Sequence, residues 1–90
     1  MKLENAIFNW LQIKVVAEAR PNDQAAKKTV DFFYEILVED HSLQDIRVEA
    51  DDTMYTVRYR VKSKPTEKKY PREVAEQLLH DIENEPKYNQ

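Results

Sequence analysis

No glycine occurs anywhere in the 90 residues of this chain, where ordinary usage of about 7% would place roughly six. Glycine supplies positive φ and close backbone approach, which other residues supply poorly. Phosphate-cradling loops and the nucleophile elbow both depend on it, so the commonest nucleotide-binding signatures are excluded. Catalysis of other kinds is not excluded on that ground. Cysteine is also missing, which removes disulfides and thiolate chemistry and fits a reducing compartment.

Hydrophobic residues make up 41% of the chain and charged residues 34%, enough for one small core beneath a wet surface. A chain of this length buries only about 60–65% of the surface its unfolded form exposes. No stretch approaches the ~20 apolar residues of a membrane span. Lys2, Glu4, Asn5 and Asn9 interrupt any apolar run at the N-terminus, so no signal peptide is read and a cytoplasmic location is expected.

Periodicity sets the order of elements. Leu3, Ala6, Ile7, Trp10, Leu11, Ile13 and Ala17 lie on one broad arc of a helix over residues 3–19, with Phe8 and Val15 widening it. An arc so wide predicts a helix packed on more than one side. Pro21 ends it, and Asn22 and Asp23 are N-cap residues for a second helix reaching about Asp40, with the stripe Ala26, Val30, Phe33 and Leu37. The short connection makes the two helices antiparallel neighbours.

The period then changes to two. Ile46, Val48 and Ala50 alternate with Arg47 and Glu49, and Tyr55, Val57, Tyr59 and Val61 alternate with Thr56, Arg58 and Arg60. A two-residue turn at Asp51-Asp52 would set Val48 opposite Tyr55, Ile46 opposite Val57 and Asp45 opposite Arg58. Lys64-Pro65 marks the next turn, with a third strand offered by Thr66 to Tyr70. Pro71 opens a final helix with Val74, Ala75, Leu78, Leu79 and Ile82 on its apolar face, and Pro86 stops it. The expected fold is α+β: two antiparallel helices, a meander of two or three antiparallel strands, and a C-terminal helix. It is one domain over residues 1–85, with a frayed tail over 86–90.

Charge is unevenly placed. Residues 58–72 hold seven basic side chains against Glu67, a net +6, while the rest of the chain carries −9 within a total of −3. Arg58, Arg60, Lys62, Lys64, Lys68 and Lys69 form the candidate binding face, for nucleic acid or for an acidic protein. The competing account is a solvated sheet face, since basic residues on exposed strands block edge-to-edge aggregation. No aromatic interleaves these cations to stack on bases, because Tyr55 and Tyr59 turn to the other side. The helix–strand–strand–strand–helix order is similar to that of double-stranded-RNA-binding domains. The chain departs from that pattern in having no glycine-containing loop between the strands and in a last helix that begins Pro71-Arg72-Glu73-Val74 instead of with a lysine cluster.

Other chemistry is thin. Glu76 and His80 lie one helical turn apart, but two ligands without a third make a poor metal site. Ser42 and Ser63 sit at turns, and no carboxylate pair occupies an apolar setting. No catalytic residue, metal or cofactor is expected. Phe8 and Trp10 flank the wide arc of the first helix, and one of them, Phe8 before Trp10, is a candidate for self-association. The sequence therefore points to a non-enzymatic intracellular protein-interaction or regulatory module, with a homodimer in view. The alternative is a nucleic-acid-binding module using the basic hairpin face over 58–72.

Overall fold

The computed structural model describes residues 1–85; the tail expected over 86–90, with the stop at Pro86, lies outside the described residues. Helix α1 runs Leu3–Ala19, as its periodicity predicts. Ala6, Ile7, Trp10, Leu11, Val15 and Val16 are buried at steps of one, three and four residues, so the helix is covered over a wide arc. It packs against α2, the C-terminal helix segments and the inner face of the sheet.

After α1 the chain turns through Pro21 and Asn22 into α2, Gln24–Glu35. Asp23 caps it: its carboxylate accepts the Ala26 N–H at 3.0 Å, supplying one of the acceptors the first turn lacks. The segment expected to stay α-helical to Asp40 widens into a π-helical turn over Ile36–Asp40, which buries Leu37 completely.

Three strands follow in the order β1-β2-β3, all antiparallel: β1 Leu43–Ala50, β2 Met54–Val61 and β3 Lys64–Pro71. The observed pairing sets Ala50 opposite Tyr55, Val48 opposite Val57 and Arg47 opposite Arg58. This differs by two residues from the expected register. A slip of two keeps every side chain on its own face, so the apolar side still turns inward. A bulge between Gln44 and Arg47 shifts the register again, with Asp45 at φ 53°.

The second turn also moves. Lys62 and Ser63, at φ 53° and 65°, form it, and Val61 lies opposite Lys64. Positive φ at both central residues is the twist that two-residue hairpins favour. Pro65 is therefore a strand residue, and the third strand is longer than Thr66 to Tyr70. Among the described residues, four non-glycine residues take positive φ: Ser42, Asp45, Lys62 and Ser63.

The C-terminal helix divides into α3, Arg72–Ala75, and α4, Gln77–Glu83, with Glu76 between them at φ −93° and ψ −1°. Hydrogen bonds run on through the break, from Glu76 N–H to Arg72 and from His80 N–H to Glu76. Ala75 is buried and Leu79 packs on the core, whereas Val74 is 47% exposed. Ile7, Leu11, Val16, Leu37 and Val57 are the largest fully buried side chains, and all but Val16 belong to one core cluster with Trp10, Leu43 and Tyr59. No helix among the described residues is long and apolar enough to cross a membrane.

Candidate functional site

The six predicted basic residues do not share one surface. Arg58 and Arg60 project from the solvent face of β2, and Lys69 of β3 lies beside them opposite Thr56. Lys64 and Lys68 are opposite Val61 and Val57, which puts them in register with the helix-facing side. Lys62 belongs to the turn, not to the strand face.

Acidic neighbours compensate much of the charge. Arg58 is held between two strands, with Nε 3.2 Å from Glu49 and Nη1 3.0 Å from Glu67. Arg60 Nε lies 3.6 Å from Asp45, which the bulge brings into reach. Lys68 Nζ is 3.8 Å from Glu4 on α1. These exposed pairs contribute little stability, about 0–1 kcal/mol each. They nonetheless convert a row of like charges into a mixed surface. A shallow depression of about 390 Å³ there is lined by Asp45, Arg47, Arg58, Arg60 and Glu67 among others. Arg47, directly opposite Arg58, has no carboxylate within ion-pair distance among the described residues.

The two aromatics of α1 part company. Trp10 is buried, 5% exposed, with its ring 6.4 Å from that of Tyr34 and the Lys14 ammonium 5.8 Å from its centroid. Phe8 is half-buried, packs on Tyr70 at 5.4 Å, and borders a hollow with Gln12, Glu73, Val74 and Gln77. Phe8 is the more exposed of the pair. Of the Glu76–His80 pair, Glu76 is engaged by Tyr55 and Arg72, and no group of three or more His, Asp or Glu is placed to hold a metal among the described residues.

A surface that periodicity gave no sign of lies on the other side of the sheet. A groove of about 580 Å³ runs between β1 and the α1–α2 pair. Its apolar walls are Trp10, Leu11, Val15, Val30, Ile46 and Val48, and Lys14, Glu18 and Asp31 stand at the rim. One of its walls is β1, an edge strand of the sheet. Each element contributes part of it, so no local motif announces it.

The two sheet edges differ sharply. Asp51 N–H donates to Met54 at 2.9 Å, so Asp51, Glu49 and Arg47 point their backbone groups toward β2 while Ala50 and Val48 point outward. On β3 the same alternation, counted from the Val61–Lys64 pair, turns Pro65, Glu67, Lys69 and Pro71 outward. Proline has no N–H to offer, so the β3 edge is blocked at two of its four outward positions. Over Ile46–Ala50 the β1 edge carries no proline and offers free donors and acceptors. Comparison with protein-family models, with curated proteins and with solved structures finds no match to this chain.

Proposed function

We propose that this chain is a non-enzymatic cytoplasmic protein-interaction module, and that its contact surface is the free edge of β1 with the groove beneath it. The contrast between the two sheet edges carries this reading: one is closed by Pro65 and Pro71, and the other is open beside a groove of mixed apolar and polar lining. An extended polypeptide segment added to β1 would bond its backbone to Val48 and Ala50 and set alternate side chains over the groove, the mode known as strand addition. The basic face argues less for nucleic acid than its sequence suggests, because Arg58 and Arg60 already meet three carboxylates.

Selection of linear peptides against the immobilised chain, followed by backbone amide shifts on the complex, tests it. The expected result is enrichment of extended apolar sequences and shifts confined to Ile46–Ala50 and the groove walls. Failure to enrich any linear sequence, together with retardation of RNA or DNA that falls steeply with salt, overturns it in favour of the basic face over 58–72.

A further inference from the structure

Resting on that reading, we infer that the segment which occupies the β1 edge is β1 of a second copy of this chain, paired antiparallel about a two-fold axis at Val48. The charge pattern of the strand selects this register. Arg47 and Glu49 flank Val48 on the solvent face. With Val48 opposite its own copy, Arg47 of each chain faces Glu49 of the other, and the exchange occurs twice by symmetry. Moving the axis to Arg47 would oppose two arginines, and moving it to Glu49 would oppose two glutamates, each unfavourable directly across a strand pair. Registers with the axis between residues fail on backbone grounds, because they oppose an outward-pointing residue to one committed to β2.

The same register suits the inner face. Val48 meets Val48, and Ile46 meets Ala50, along the mouth of the groove. Arg47 gains there a carboxylate that it lacks among the described residues of its own chain, where its cross-strand neighbour is Arg58. Glu49 meets Arg58 through Oε2 while its side chain stays 60% exposed, so it can accept a second cation. The paired segment has a natural limit. Beyond Ile46 the bulge at Asp45 breaks the regular alternation of the strand, and beyond Ala50 the Asp51 carboxylate is turned back onto the Thr53 and Met54 amides at 2.8 and 2.7 Å. The product is a six-stranded sheet whose outer edges are the two proline-blocked β3 strands, which stops growth at a dimer.

Sedimentation of the full chain and of two variants tests the pairing. The wild type should sediment as twice 10.7 kDa. Arg47→Glu and Glu49→Arg should each weaken self-association about tenfold or more, since each replaces both attractive pairs by like charges. An equimolar mixture of the two variants should associate again, because glutamates on one strand then face arginines on the other. Misfolding of either variant would not produce that rescue. Amide exchange on the wild type gives a readout independent of any variant: protection of Val48 and Ala50 should rise with protein concentration. A wild type that stays monomeric to millimolar concentration, with those amides unprotected, overturns the self-pairing. If it nonetheless takes up linear peptides at β1, the interaction surface stands. A dimer indifferent to both substitutions overturns the self-pairing, and the absence of any linear peptide bound at β1 overturns the surface.

Discussion

The Tyr55 hydroxyl donates to Glu76 Oε2 at 2.7 Å, and the same oxygen receives Arg72 Nη2 at 2.9 Å. Arg72 stacks 5.1 Å from the Tyr55 ring centroid, and its Nη1 reaches the Asp51 carbonyl at 3.0 Å. Its backbone N–H donates to the Thr53 carbonyl. Through these contacts the C-terminal helix is fastened to the tip of the β1–β2 hairpin, at the end of the groove. Tyr55→Phe should cost about 1 kcal/mol and Glu76→Gln about 1–2 kcal/mol in urea unfolding. Because both act on one oxygen, the double variant should lose less than the two costs added. Additive losses would mean that the hydroxyl and the carboxylate are not coupled.

Acid should weaken the fold through the same group. The Tyr55 hydroxyl, and then Arg72, hold the Glu76 carboxyl below the ordinary glutamate range. The Ala26 amide does the same for Asp23, and the Thr53 and Met54 amides for Asp51. A carboxyl with a lowered native pKa leaves the unfolded chain binding more protons as pH falls. Its contribution is complete above the unfolded value, about 4, and is lost as pH drops through the native one. The urea midpoint should therefore hold steady near neutrality and fall below about pH 4, with a shallower fall in Glu76→Gln. The tyrosines act with the opposite sense. Burial raises Tyr55, Tyr59 and Tyr70, so stability present below about pH 10 should decline as pH rises beyond it.

Much of the scaffold was legible from local chemistry, and the exceptions have physical reasons. Pro21 and Asp23 delimit the first two helices because a missing N–H and a capping carboxylate act within one turn of chain. The hairpin faces were readable although the register was not, since a two-residue slip leaves side-chain parity unchanged. Pro65 misled because proline is common in turns. Here it sits where its absent N–H points away from β2, and the turn falls on Lys62 and Ser63, which carry no mark of positive φ. The basic residues stand out in the sequence, but the carboxylates that meet them come from a bulge, from both strands that flank β2, and from α1. The groove draws on four elements, α1, α2, β1 and β2, and the open edge emerges only once pairing shows which backbone groups point outward.

The glycine-free turn makes its own prediction. Ser63 at φ 65° adopts a conformation that costs an L-residue about 1–2 kcal/mol, partly offset by the greater freedom glycine has when unfolded. Ser63→Gly should raise stability by about 0.5–1 kcal/mol in thermal or urea unfolding. Asp52→Gly, in the other hairpin turn where φ is not positive, should lower it. A loss at both positions would count against a left-handed turn at Lys62 and Ser63.

Trp10 carries the last prediction. Its ring is buried between α1, α2 and the sheet, yet its Nε1 has no hydrogen-bond acceptor among the described residues. A buried donor without a partner costs about 1–3 kcal/mol, set against the large apolar area that the indole removes from water. Phenylalanine keeps a ring and discards the orphan N–H, so the lost packing and the relieved desolvation oppose one another. Trp10→Phe should therefore change stability by no more than about 1 kcal/mol, whereas Trp10→Ala should lose about 3–5 kcal/mol by leaving a cavity beside Leu11 and Val15. Circular dichroism during urea unfolding reads both variants. A Trp10→Phe loss as large as that of Trp10→Ala would show that the indole nitrogen is satisfied in solution and that the second ring, not the N–H, decides the balance.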